Sequence, residues 1–239
     1  MDLSKFKALS FDCYGTLIDW EKGITNVLKP WLDDQGLKLS ENEILEMFAK
    51  IETRVQAEHP DWKYPNVLEE VAVRIGKELN LAAGEMKTRL ANSVGQWPAF
   101  TDTTDALIKL GKQFKLVILS NISEDAFNDT NTQQLNIDFF KVLTAERIGS
   151  YKPNSRNFEF MFEELAKNGI DKSEILHVAQ SLYHDMVPAT SLGMKTVWIN
   201  RRKNKPGSGA TPLPDREVKV DLEFETLGEF SNHLNTLQA

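Results

Sequence analysis

The 239-residue chain reads as an α/β protein, a doubly wound parallel sheet core with an inserted all-helical cap domain. Three observations predict this. Short β-rich apolar runs recur between turn residues, the pattern of strands buried on both faces. From Thr101 onward these runs alternate with helical patterns, which argues for a parallel sheet covered by helices on both sides. Residues 18–98 carry helical periodicity and few strand-like runs.

The elements follow in order. ALSFDCY, from Ala8, is the first strand. Trp31, Leu32, Ile44, Leu45, Met47 and Phe48 suggest two helices, and Leu68, Val71, Ala72, Ile75 and Leu79 form the stripe of a third. The chain returns to the sheet near Pro98. The expected division is therefore a core of residues 1–17 and 99–239 with a cap of residues 18–98. An insertion straight after the first strand sits over the carboxyl edge of the sheet, where open α/β folds bind ligands, so it is placed to act as a lid. Asp102 is positioned to cap a helix through Lys112, with Ala106, Leu107 and Leu110 facing inward. KLVILSN (115–121) and KVLTAE (141–146) are the next strands. Phe158, Met161, Phe162 and Leu165 follow the i, i+3, i+4, i+7 rule, and Gly169 stops that helix. ILHVAQ (175–180) and KTVWIN (195–200) complete the strands. RRKNK (201–205) and GSGATPLP (207–214) read as loops, the first a solvated one.

Composition narrows the function classes. The chain is 41% hydrophobic and 26% charged, ordinary for a protein with a real core, and its net charge is −7. An acidic chain without a basic block is a poor partner for nucleic acid or an anionic membrane. The single cysteine, Cys13, excludes an intrachain disulfide and fits a reducing compartment. Neither a signal peptide nor an apolar run of about 18 residues is visible. The expectation is a cytoplasmic protein acting on a small molecule.

Polar residues fall where strands end. Asp12 follows the first strand, Ser120 and Asn121 end the second, Lys152 lies just after the third, and Asp185 follows the fourth. Singly, each has an ordinary structural reading: a turn for Asp12, a cap for Ser120 and Asn121, a surface position for Lys152, and the N-cap of a helix over 187–192 for Asp185. In a parallel sheet these ends share one edge, so an acid, a small hydroxyl, a cation and a second acid converge on one pocket.

The set FDCYGTL (11–17), LSN (119–121), YKP (151–153) and AQSLYHD (179–185) followed by GMKTVWINR resembles the haloacid dehalogenase superfamily of hydrolases, and specifically its 2-haloacid dehalogenase-like branch. The resemblance covers nearly the whole chain and implies a Rossmann-like core with a helical cap between the first and second motifs, matching the insertion at 18–98. It implies that Asp12 is the nucleophile, that Ser120 and Asn121 hold the substrate or a nascent oxyanion, that Lys152 neutralises the nucleophile and that Thr16 belongs to the same pocket. Asp185 would orient Lys152 and help deprotonate a water. A homodimer follows by the same analogy.

Tyr14 separates branches of that superfamily. Its phosphatases place a second aspartate there to protonate a leaving alkoxide, and a phenol with a pKa near 10 cannot take that role at neutral pH without a large shift. Mg²⁺ also wants several oxygen ligands, and only Asp12 and Asp185 are offered. The expectation is catalysis without a cofactor, with no metal site and Mg²⁺ required only if the chain is a phosphatase. Halide needs no proton, so displacement through an aspartyl ester suits the tyrosine. Tyr14 would then shape the pocket or pack with its hydroxyl satisfied.

Other positions depart from the dehalogenase pattern. Where those enzymes carry a cap arginine for the substrate carboxylate, the stretch MFAKIETR offers Ala49 or Lys50, with Arg54 a turn beyond, and Lys50 is the candidate substrate-binding residue. Phe158 stands where a tyrosine is expected, and Gln180 and Leu182 replace a serine and an asparagine. The stretches LSNIS, GSYKPN, AQSLYHD and RRKNKPGSGAT are similar too to L-azetidine-2-carboxylate hydrolases of the same branch, in which ring strain replaces halide as the driving force. A non-catalytic binding protein of the same fold is the remaining alternative. His184, beside Asp185, is read as a second-layer histidine.

Overall fold

The computed structural model describes residues 1–236. Six parallel strands form one sheet in the order β3-β2-β1-β4-β5-β6. They are β1 (Ala8–Phe11), β2 (Lys115–Ser120), β3 (Lys141–Thr144), β4 (Ile175–Ala179), β5 (Lys195–Ile199) and β6 (Leu222–Phe224). The strand order reverses at β1, which pairs with β2 on one side and β4 on the other. That is the topological switch point of a doubly wound sheet. β6 went unread in the sequence because three residues flanked by acids carry almost no apolar signal; its place beside β5 is set by tertiary pairing.

The central strands β1, β2 and β4 bury both faces. Ala8, Val117, Leu119, Leu143 and Ile175 pack with Phe158, Met161 and Leu165 on one side. Leu9, Phe11, Ile118, Leu176, Val178, Val197 and Ile199 pack with Ala106, Leu107, Leu110 and Phe230 on the other. The period of two along a strand produces this split. Helices α5 (Thr103–Leu110), α6 (Glu124–Thr130), α7 (Ala145–Ile148), α8 (Arg156–Ala166), α9 (Val187–Ser191) and α10 (Leu227–Thr236) connect or flank the strands. Asp102 is at the N-terminus of α5 but does not cap that helix: its carboxylate accepts from Arg201 at 2.7 Å and from the Gly228 amide, in the first turn of α10, at 2.9 Å.

Four α-helices lie between β1 and α5: α1 (Trp20–Asp34), α2 (Glu41–Glu58), α3 (Tyr64–Glu78) and α4 (Met86–Ala91). The chain leaves and re-enters the sheet at one place, because Ile18 bridges both Tyr14 and Ala99. α2 starts at a capping box in which Ser40 and Glu43 satisfy one another's backbone amides. Leu68, Val71, Ala72 and Ile75 of the stripe are the buried face of α3, and Leu79 follows its end, half-buried.

Arg201 and Arg202 correct the expectation of a solvated loop for RRKNK, while Lys203, Asn204 and Lys205 are exposed as expected. Arg201 donates to the Thr16 carbonyl at 3.0 Å and lies 4.0 Å over the Phe100 ring. Arg202 pairs with Glu21 of α1 at 2.6 Å. Both guanidiniums are largely buried because each finds planar partners that a run of charges in sequence does not reveal.

Candidate active site

The carboxyl ends of β1, β2 and β4 and the loop after β3 converge on a cavity of about 40 Å³. A single water needs roughly 10–15 Å³, so this space suits a very small substrate and a water. Its lining includes Asp12, Tyr14, Ser120, Asn121, Lys152 and Asp185 from the sheet side and Trp20, Glu52 and Tyr64 from the inserted helices.

Asp12 extends β1 by one residue, its amide bonded to the Val178 carbonyl at 3.2 Å. The chain then turns at Gly15, whose φ of +96° favours glycine. A Cβ there would meet the Gln180 side chain at 3.0 Å and the Trp20 indole nitrogen at 3.1 Å. The turn brings Thr16 back so that its hydroxyl donates to Asp12 Oδ2 at 2.8 Å and accepts from the Gln180 amide at 2.8 Å.

Lys152 is 2% exposed, and its ammonium spends all three protons. They go to Asp12 Oδ1 at 2.9 Å, Asp185 Oδ1 at 2.6 Å and the Leu119 carbonyl at 2.9 Å. The Asn121 side chain pairs with the Lys152 backbone in both directions, at 2.7 and 2.9 Å, and so fixes the loop carrying the lysine. Asn121 also stays in the cavity lining beside Ser120. Ser120 Oγ is buried in the cavity wall without a protein partner.

Asp185 is wholly buried and not an N-cap. It lies in the turn Leu182–Met186, where Oδ1 also meets His177 Nε2 at 3.1 Å. His177 Nδ1 in turn meets Ser10 Oγ at 2.9 Å, and Phe158 packs edge-on against the imidazole. Asp185 Oδ2 is buried and unpaired. His177 was missed in sequence; a histidine inside the apolar run ILHVAQ was its signal.

The three charges titrate as a unit. Burial works against ionised Asp185, but Lys152 and His177 outweigh it and hold the carboxyl below its usual range. Burial also opposes a charged Lys152, and the two carboxylates overcome it and raise the lysine. Asp12 is the weaker acid of the pair. Burial pushes it up, Lys152 pulls it down, the charge of Asp185 pushes it up again, and the net direction is upward. Asp12 is thus the carboxyl that protonates first in acid. His184, also lining the cavity, is pushed down to about 4 by burial and is neutral at pH 7.

Tyr14 packs edge-on against Trp97 at 5.8 Å, and its hydroxyl bonds Thr130 at 2.8 Å. Burial raises its pKa well above the ordinary value, so it stays a neutral phenol.

Lys50 is not part of this pocket. It lies on the solvent face of α2, paired with Glu78 of α3 at 3.3 Å. At 100° per residue, the buried face of α2 runs through Ile44, Phe48, Glu52 and Val55, and position 50 points away from it. The residue that reaches the cavity is Glu52, which is 3% exposed. Its Oε1 accepts from the Tyr64 hydroxyl at 3.1 Å and the Gln56 amide at 2.8 Å. Burial raises its carboxyl to about 7. A lone acid inside an apolar helical stripe was the signal available in sequence. The raised value makes stability depend on pH with a definite sign. A carboxyl weaker in the folded than in the unfolded chain destabilises as it ionises, so stability falls as pH rises from about 4.5 through about 7. Glu52→Gln should therefore be more stable than the parent above pH 8, by up to ~3 kcal/mol on a scale of about 1.4 per pKa unit. The two should converge below pH 4.5 in urea titrations; a constant offset across pH would contradict this.

The donor set does not fit Mg²⁺. A hard cation wants several free carboxylate or carbonyl oxygens, and both candidate carboxylates are drawn onto one ammonium. No group of three His, Cys, Asp or Glu residues among the described residues is arranged to hold a metal ion.

Comparison with known proteins agrees with the architecture. A glyceraldehyde 3-phosphate phosphatase from Methanothermobacter thermautotrophicus is 27% identical over 199 residues, 81% of this chain and 85% of that protein. The L-2-haloacid dehalogenase of Xanthobacter autotrophicus with chloropropionic acid covalently bound superposes with a TM-score of 0.78 at 17% identity, covering 96% of this chain and 98% of that one. The L-2-haloacid dehalogenase PA0810 gives 0.76 at 21% identity, over 97% and 99%. The family model for haloacid dehalogenase-like hydrolases matches residues 9–199, a span that holds both Asp12 and Asp185, and the chain belongs to that family.

Proposed function

We propose that the protein hydrolyses a bond at a substrate carbon through an aspartyl ester on Asp12, in the manner of a 2-haloacid dehalogenase giving a 2-hydroxy acid. One observation carries the reading: a buried carboxylate lined up with an ammonium at 2.9 Å beside a small cavity, with a neutral phenol two residues on. The Asp12 carboxylate attacks the carbon and the leaving group departs with the bonding pair. Lys152 keeps Asp12 anionic in the free enzyme, by the effect of a neighbouring opposite charge. Water then adds to the ester carbonyl, with the unpaired Asp185 Oδ2 as the available acceptor for one of its protons. The product hydroxyl leaves with the oxygen that Asp12 contributed. The aspartate regains an oxygen from water, one water proton ends on the product and the other passes to solvent.

Glu52 favours a second reading within this chemistry, hydrolytic opening of L-azetidine-2-carboxylate at a ring carbon–nitrogen bond. There the nitrogen leaves with the bonding pair and stays attached to the product. The 27% identity to a phosphatase favours a third, phosphate ester hydrolysis. Tyr14 and the Lys152-bound carboxylates weigh against it, since an alkoxide leaving group needs a proton and the donor set is poor for Mg²⁺.

The test is a single turnover in ¹⁸O water with enzyme in excess over a 2-haloacid, L-azetidine-2-carboxylate or a phosphate ester, each with Mg²⁺ or chelator. The expected product hydroxyl is unlabelled on the first turnover and the label resides in Asp12 by peptide mass. Label in the product hydroxyl on that first turnover, or activity confined to the phosphate ester with Mg²⁺, would overturn the reading.

A further inference from the structure

We infer that Glu52 is the recognition group for a positively charged nitrogen on the substrate, so that the pocket takes a small amine-bearing or zwitterionic molecule rather than a simple anion. The inference rests on the proposed function only in taking the cavity beside Asp12 as the substrate site.

The charge inventory of the cavity leads there. Its lining holds three carboxylates, Asp12, Glu52 and Asp185, against one ammonium, Lys152. Lys152 is fully committed to the two aspartates and the Leu119 carbonyl, so nothing on the core side answers Glu52. Tyr64 from α3 and Gln56 from its own helix are neutral donors, and both point at Oε1. Among the described residues the hydrogen bonds of Glu52 fall on Oε1 alone, and Glu52 has no ion pair. Tyr151, which precedes Lys152, is a neutral phenol pushed upward by burial. His184 is neutral above about 4. A buried carboxylate without a counter-charge is costly to ionise, and an ammonium entering the cavity removes that cost. A substrate carboxylate placed at the same spot would meet like charge. At the core end, the unpartnered Ser120 hydroxyl offers a donor to a carboxylate, which suits a zwitterion lying across the cavity.

The experiment measures binding in the Asp12→Asn protein, which cannot form the ester and in which Asp12 no longer titrates. Calorimetry with L-azetidine-2-carboxylate, whose ring nitrogen is cationic at neutral pH, is compared with 2-chloropropanoate, which has no nitrogen. The first probe should bind about tenfold more tightly at pH 8 than at pH 6, the ratio of ionised fractions for a carboxyl titrating near 7. Adding Glu52→Gln, which keeps an acceptor for Tyr64 and Gln56, should weaken that probe by about tenfold or more and abolish the pH dependence. It should leave 2-chloropropanoate unchanged or tighter. A melting temperature no lower than the parent's separates recognition from unfolding, and Glu52→Asp should regain part of the affinity. Equal affinity for the azetidine with and without Glu52→Gln would overturn the inference, as would a parent that binds neither probe or only the chloropropanoate. Labelled product on the first turnover, with binding as described, would instead remove the Asp12 ester and leave the role of Glu52 standing.

Discussion

Asp12→Asn is expected to lower kcat by about 10⁴-fold or more, the scale on which removal of a covalent nucleophile acts, while leaving KM and the melting temperature close to the parent values. The geometry gives the reason for both halves. An amide oxygen is a far weaker nucleophile than a carboxylate, yet it is isosteric and still accepts from Lys152 at the Oδ1 position. Stability should not suffer. Burial and the charge of Asp185 make the Asp12 carboxyl weaker in the folded chain than in the unfolded one. By linkage, its ionisation then subtracts stability as pH rises from the usual carboxylate range through that raised value, and a neutral isostere escapes the loss. The measurement is steady-state kinetics on whichever substrate the parent turns over, paired with thermal melts at pH 7. Turnover within tenfold of the parent would remove Asp12 from the chemistry.

Five of the six strands and the four polar positions at the carboxyl edge were legible because each left a local mark. Asp12, Ser120, Lys152 and Asp185 all stand just beyond β-rich runs, and a parallel sheet carries such ends to one edge. What could not be read was the direction of side chains on the inserted helices. Lys50 and Glu52 are two residues apart on α2, a rotation of about 200°, and a motif alignment that is off by that much puts a surface lysine in the pocket and a buried glutamate outside it. The partners of Asp185 were hidden for a different reason. His177 and Ser10 lie on adjacent strands, joined through a register in which Ser10 sits beside His177, and pairing between distant segments has no signature in either run alone. Arg201 and Arg202 illustrate the same limit: a basic run looks solvated until Asp102, Glu21 and Phe100 arrive from elsewhere in the chain.

Lys152→Met should be the more damaging substitution to the fold. The methionine matches the aliphatic stem but removes the one cation between two buried carboxylates, and breaking a buried pair from one side costs about 3–5 kcal/mol. Asp12 and Asp185 would then face each other without compensation, and like charges at that separation drive one of them to take up a proton. In the variant both carboxyls are therefore weaker acids than in the unfolded chain. The folded state binds more protons, and stability rises as pH falls through their raised values. The deficit against the parent should be largest near pH 8 and should shrink toward pH 4, where protonated carboxyls no longer repel. Activity should be lost over the same range, because a protonated Asp12 does not attack and an ionised one is no longer held in place. Lys152→Arg should not restore either property. The ammonium directs three protons to three oxygens at 2.9, 2.6 and 2.9 Å in a slot that is 2% exposed, whereas a guanidinium is planar and wider and presents its donors as a fork. Urea titrations at pH 8, 6 and 4 with parallel kinetics measure all of this. A Lys152→Met protein whose stability deficit stays constant with pH, or whose kcat is within tenfold of the parent, would show that the ammonium neither balances the two acids nor prepares the nucleophile.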